Sequence, residues 1–328
     1  MHGDVTSQVE ALLGARRFAD AARHLTAAAA RGDRAALSLL AEWRISGTIV
    51  RRDLAAARGL FGRAASAGDT DSALLHAAFL ATGTGGEEDW RGAVAALERQ
   101  APRSADARAQ LRLIGAMDLD EGGAPRSALP TRPLSEAPHV VVAEGFATAA
   151  ECDYLVAKAE GALQPSTVVD PGTGRLIPHP IRSSEGAMYG VYDEDVAVNA
   201  LNRRIAALSG TVIAQGEPLQ LLRYRPGGEY RAHMDALPAE PNQRILTVLV
   251  YLSDDYEGGE TRFPRTGLSF RGRRGDALLF RNVGPYGEPE PLSIHAGLPV
   301  TRGVKTIASR WIRAGRFTYP PPRPLLDL

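Results

Sequence analysis

The chain has 328 residues, 44% of them hydrophobic, and its 38 basic residues balance 38 acidic ones for a formal net charge of zero. That composition fits a globular protein of one large or two ordinary domains and gives no global attraction to nucleic acid or to an anionic membrane. A single cysteine, Cys152, excludes an intrachain disulfide and any zinc site built from several thiolates.

The opening MHGDVTSQVE has no basic segment followed by an apolar core, and no apolar run reaches the ~18 residues of a membrane span, so a cytoplasmic protein is expected. Residues 1–120 are alanine-rich and repeat with a period of 36: Ala21, Ala57 and Ala93; Ala29, Ala65 and Ala101; Gly32-Asp33 and Gly68-Asp69; Gly47 and Gly83; Asp53 and Asp89. Between these marks the text reads as paired helices. In 53-DLAAARGLFGRAASAG-68, for example, Asp53 stands as N-cap and Gly68 as stop. Units that cannot bury their apolar faces alone stack into a helical solenoid, and the pattern resembles the Sel-like repeats related to tetratricopeptide arrays.

Residues 121–138, EGGAPRSALPTRPLSEAP, lack any helical or strand period and read as a linker. From 139 to 318 the vocabulary changes to short β-branched runs, among them 139-HVVVAEGF-146, 245-ILTVLVYLS-253 and 304-VKTIASRWI-312, interrupted by one clear helix capped by Thr148. Many strands without a βαβ rhythm predict a β-sandwich or barrel. A proline-rich tail, 319–328, closes the chain.

The chemistry starts at 230-YRAHMDALP-238. In an extended segment His233 and Asp235 point to one face and can converge on one cation. His295, in 293-SIHAGLPV-300, is a third candidate ligand. Two histidines and a carboxylate on strands suit a non-haem Fe(II) oxygenase, although zinc hydrolases use the same set. Lys305 lies ten residues after His295 on the next strand. A lysine pointing into a barrel carries an expensive buried charge unless an anion meets it. A dicarboxylate such as 2-oxoglutarate, chelating the metal at one end, would meet it with the other.

At these residues the chain resembles the prolyl 4-hydroxylase-type Fe(II)/2-oxoglutarate dioxygenases, over about 139–316. The elements 182-RSSEGAMY-189, 224-YRPGGEYRAHMD-235, 247-TVLVYLSDDYEGGETRFP-264, 274-RGDALLFRN-282 and 295-HAGLPVTRGVKTIASRWIR-313 stand in the family's order. The resemblance implies a double-stranded β-helix (jelly-roll) core with flanking helices, joined to the N-terminal all-α solenoid. It implies iron ligation by His233, Asp235 and His295. Lys305 would pair with the distal carboxylate of 2-oxoglutarate, helped by the hydroxyls of Tyr224 and Thr247. Arg182 would face the substrate, and Trp311 would sit near the site mouth, although core packing explains it as well. Because Asp235 is present, hydroxylation is expected rather than halogenation. The cofactors implied are Fe(II), 2-oxoglutarate and O2, with ascorbate as a further candidate.

His179, within 171–182, falls in a segment similar to the family's mobile substrate-covering loop but reads as an ordinary loop residue. His24 and His76 have no partners at ligand spacing, His139 opens a strand beside the linker, and Cys152 takes a packing position. The substrate expected is a prolyl or other residue in a peptide or protein recruited by the repeats, with neither nucleic acid nor membrane as partner. A free amino acid or other small molecule is the alternative. A repeat scaffold with a vestigial barrel is the reading from another class.

Overall fold

The computed structural model describes residues 5–127, 129–169, 176–178, 181–318 and 324–326. The chain divides into two compact units, one of residues 1–124, 194–200 and 318–328, the other of 125–193 and 201–317. The division is therefore not serial, as the sequence boundaries at 120 and 139 implied.

The first unit contains helices α1 (Val5–Gly14), α2 (Phe18–Ala30), α3 (Arg34–Ser46), α4 (Leu54–Ser66), α5 (Thr70–Thr82), α6 (Trp90–Gln100) and α7 (Ala105–Ala116). The 36-residue period appears as repeated helix ends. The amides of Ala36 and Ser72 donate to the carboxylates of Asp33 and Asp69, opening α3 and α5. Those of Ala56 and Gly92 donate to Asp53 and Asp89, opening α4 and α6. Gly47 and Gly83 end α3 and α5 in left-handed conformations, φ 65° and 68°, which only glycine adopts without strain. Ala21, Ala57 and Ala93 are fully buried, so this small-residue series sets close helix contacts. Ala65 and Ala101 are only half-buried, and the second series does not. Asp53→Ala, which removes one cap acceptor, is expected to cost about 1 kcal/mol of unfolding free energy in urea titration.

Part of the proline-rich tail also belongs here. The amides of Leu325 and Leu326 donate to the carbonyls of Thr48 and Ile49 at 2.8 and 2.9 Å, so these residues are a paired segment rather than a free extension. The tail's residues 319–323 and 327–328 lie outside those described, as does His179.

In the second unit β1 (Arg132–Ser135) and β2 (Val140–Ala143) precede α8 (Ala149–Ala159). The short strands β3 (Gln164–Pro165), β4 (Thr167–Val169), β5 (Leu176–Pro178) and β6 (Glu185–Met188) lead to α9 (Val196–Ser209), which begins in the first unit. Then follow β7 (Gln220–Tyr224), β8 (Tyr230–His233), β9 (Arg244–Tyr251), β10 (Glu257–Gly258), β11 (Thr261–Phe263) and β12 (Leu268–Phe270). The last four are β13 (Ala277–Arg281), β14 (His295–Gly297), β15 (Val300–Arg302) and β16 (Lys305–Arg313). Strand β1 corrects the linker reading: Arg132–Ser135 pairs with β2, because Leu134 packs on the core.

An eight-stranded sheet runs β1-β2-β13-β9-β16-β7-β6-β3, and a four-stranded sheet runs β12-β11-β14-β8. The apolar cluster between them takes Leu222, Leu249, Phe280 and Ile307 from the large sheet and Phe263 from the small one. The expected multi-stranded β core and the all-helical N-terminal region are therefore both present. Among the described residues no helix is long and apolar enough to cross a membrane.

Candidate metal centre and co-substrate cleft

Strand β8 ends at His233 and β14 begins at His295, and the two are register partners. Asp235 follows His233 by two positions and is buried. His233 Nε2 lies 3.5 Å from Asp235 Oδ1, and His295 Nε2 lies 3.7 Å from Asp235 Oδ2. One ligand atom from each residue lies within 4.8 Å of the others, the spacing of three donors about one cation. Each ring is aimed by its other nitrogen. His233 Nδ1 lies 2.9 Å from the Arg231 carbonyl and His295 Nδ1 lies 3.0 Å from that of Ser293. A carbonyl only accepts, so Nδ1 carries the proton and Nε2 offers its lone pair to the centre.

The electrostatics agree. Burial, helped by the charges of His233 and Lys305, pushes the His295 pKa down to about 4. Burial alone would raise the Asp235 pKa, but the charge of His295, contacts with His233 and the Thr247 hydroxyl hold it below the usual carboxylate range. At neutral pH the centre therefore offers a neutral imidazole and a carboxylate, the forms that bind a divalent ion without first losing protons.

The triad forms one wall of a cleft between the two sheets, enclosing about 410 Å³ of empty space partly open to solvent. Lys305, Ile307, Ser309 and Trp311 alternate along β16 and all face it, as do Leu222 and Tyr224 of β7. Lys305 is 3% exposed and stands in register with Tyr224. Its ammonium donates to the Gly259 carbonyl at 2.7 Å and lies 5.7 Å from the Tyr224 and Tyr251 ring centres. Among the described residues no carboxylate comes within ion-pairing distance of it. Burial pushes its pKa down to about 8, partly opposed by Glu260. Burial likewise raises that of Tyr224. Gly258 and Gly259 both have positive φ, 69° and 68°, beside a register irregularity between Glu257 and Gly258, and it is the Gly259 carbonyl that faces Lys305.

Not every expected residue lies where the sequence pointed. Thr247 does not line the cleft: its hydroxyl donates to Asp235 Oδ2 at 2.6 Å, behind the metal centre. Thr261 does line it, and sequence reasoning missed it. It faces Gly297, and a Cβ on Gly297 would stand 4.0 Å from Lys305 Nζ. The hint in the sequence is the glycine pair of 258-GGET-261, which marks a turn but not the direction it takes. Arg182 is one layer removed: its guanidinium lies 5.2 Å from the Tyr230 ring centre, and that ring stacks 3.5 Å from His233. Its Nε is buried without a hydrogen-bond partner. Trp311 lines the cleft, with the Arg244 guanidinium 3.8 Å from its ring centre. Cys152 is fully buried, and burial pushes its thiol up to about 11, in keeping with a packing position.

Residues 219–313 match the family described as the 2OG-Fe(II) oxygenase superfamily. Prolyl 4-hydroxylase 1 of Arabidopsis thaliana is 37% identical over 199 residues, 55% of this chain and 70% of that one. Probable prolyl 4-hydroxylase 3 of the same plant is 34% identical over 226 residues, 62% of this chain and 78% of that one. The chain belongs to the prolyl 4-hydroxylase-like 2OG-Fe(II) oxygenases. Among solved structures, the viral collagen prolyl hydroxylase of Paramecium Bursaria Chlorella virus-1, in its 2OG complex, is similar with 28% identity and a TM-score of 0.44. It covers 54% of this chain and 96% of that one. This oxygenase is an Fe(II)- and 2-oxoglutarate-dependent dioxygenase that hydroxylates a C–H bond.

Proposed function

We propose that the oxygenase hydroxylates a prolyl or other residue within a peptide or protein, with His233, Asp235 and His295 holding Fe(II). Lys305 receives the distal carboxylate of 2-oxoglutarate, with the hydroxyls of Tyr224 and Thr261 beside it. The observation that carries this reading is Lys305, a buried cation with no carboxylate partner among the described residues, in the same cleft as the triad. When bound, iron and 2-oxoglutarate supply the oxidising chemistry, consuming O2 and releasing succinate and CO2. The chain contributes position and dryness. The inward Nε2 atoms and the carboxylate fix the metal, and the Lys305 ammonium fixes the far end of the co-substrate. The apolar side chains of Leu222, Leu249 and Ile307 limit water between them. Trp311 and Tyr230, with Arg182 stacked behind Tyr230, form the substrate side.

In the same proposal the β core closes as a double-stranded β-helix. The first unit is a Sel-like solenoid whose repeated caps support a shared surface for recruiting the partner. Ascorbate serves as an auxiliary reductant, and one buried cysteine suits a reducing, cytoplasmic setting. Incubating the full chain with Fe(II), 2-oxoglutarate and either proline-containing peptides or free amino acids tests the substrate class. Succinate release with one added oxygen atom in a peptide is expected. Oxygen transfer to the free amino acids alone would replace this reading by the small-molecule one.

The lysine also gives a pH dependence. Its charged form prevails below about pH 8 and is lost as the pH rises through that value. The affinity of Mn(II)-loaded protein for 2-oxoglutarate, measured calorimetrically without oxygen, is expected to fall above that pH. In Lys305→Arg, whose guanidinium does not titrate there, the inflection should disappear.

A further inference from the structure

Thr247 and Asn282 are both fully buried and lie behind Asp235 rather than in the cleft. Asn282 Nδ2 donates to Thr247 Oγ1 at 2.9 Å, and Thr247 Oγ1 donates to Asp235 Oδ2 at 2.6 Å. A hydroxyl has one proton. Because the asparagine amide approaches as a donor, that proton must go to the carboxylate. Such a bond to an ionised acceptor is among the stronger hydrogen bonds. Asn282 Oδ1 is left buried and unpaired, which costs free energy. The reversed amide would satisfy that oxygen by taking the Thr247 proton away from Asp235.

The main chain of Asn282 reaches the other side of the centre. Its carbonyl accepts from the Glu290 amide at 2.9 Å, and the Glu290 carbonyl accepts from the Ser293 amide and hydroxyl. The Ser293 carbonyl in turn orients His295 through Nδ1. One buried asparagine is thus tied to two of the three candidate ligands.

We propose that Asn282 and Thr247 are positioning residues for the metal centre, engaging Asp235 Oδ2 so that Oδ1 is presented to the ion. The inference rests on the assignment of His233, Asp235 and His295 as the metal ligands. Thr247→Val keeps the shape and removes the hydroxyl, Thr247→Ser restores the hydroxyl, and Asn282→Leu removes the donor that orients it. The readout is Co(II) titration, following both affinity and the visible absorption bands that report coordination, with thermal melting of the metal-free proteins as the check on folding.

Losing such an outer partner weakens metal binding by about 10- to 100-fold, and that is the loss expected for Thr247→Val together with altered bands. Thr247→Ser should bind close to wild type, and Asn282→Leu should fall between. Wild-type affinity and bands in Thr247→Val would overturn the proposal, as would equal losses in the serine and valine variants. Should Thr247→Val not fold, unchanged binding in Asn282→Leu would overturn it and weakened binding would support it. A wild-type chain without Co(II) bands would remove the centre itself, and the relay with it, which separates the two failures.

Discussion

Lys305→Ala is expected to raise the 2-oxoglutarate requirement by roughly 30-fold to several thousand-fold, the effect of truncating one partner of a buried charge pair (about 2–5 kcal/mol). The argument is local. The ammonium is buried, stands in register with Tyr224 and, among the described residues, has only the Gly259 carbonyl as a close hydrogen-bond acceptor. Without it the distal carboxylate of the co-substrate would be buried without its cation. Iron content should stay at the wild-type level, because the lysine is not a ligand. Tyr224→Phe removes one hydrogen bond to a charged group and should act in the same direction more mildly, about 1.5–3 kcal/mol. Lys305→Arg should rescue only in part, since the planar fork differs in reach from the ammonium. Unchanged 2-oxoglutarate dependence in Lys305→Ala would assign the cation another role.

His233→Ala and His295→Ala are each expected to lose bound iron and turnover together. Each removes a direct ligand, and the two rings are register partners on adjacent strands, so neither can shift to replace the other. Asp235→Ala should be different in kind. The two Nε2 donors remain aimed by the Arg231 and Ser293 carbonyls, so some iron can be retained while hydroxylation vanishes. Elemental analysis beside a turnover assay separates the two patterns. Full iron occupancy in either histidine variant would contradict the ligand set.

The parts of this arrangement that depend on spacing along one strand were legible in the sequence. His233 and Asp235 share a face because they are two apart. Lys305 points into the cleft because Ile307, Ser309 and Trp311 on the same strand do. The cap at Asp53 was legible for a similar reason, and the repeat marked Asp33, Asp69 and Asp89, which also act on amides three residues away. What depended on partners distant in sequence was not. Thr247 turns to Asp235, held by an asparagine 35 positions further on. Thr261 lines the cleft beyond a glycine pair, and no periodicity reveals the direction taken there. Arg132–Ser135 looked like linker because an edge strand with a proline pairs on one side only, and its partner β2 was needed to see it. Residues 194–200 read as part of the β half, yet their contacts place them with the helices.

Succinate formation from 2-oxoglutarate, before and after removal of metal, tests the central claim most directly, because two histidines and a carboxylate also serve zinc. Turnover should require O2, cease on chelation, and return on addition of Fe(II) but not of Zn(II). Turnover that survives chelation, or that Zn(II) restores, would contradict the assignment of this cleft to iron and 2-oxoglutarate.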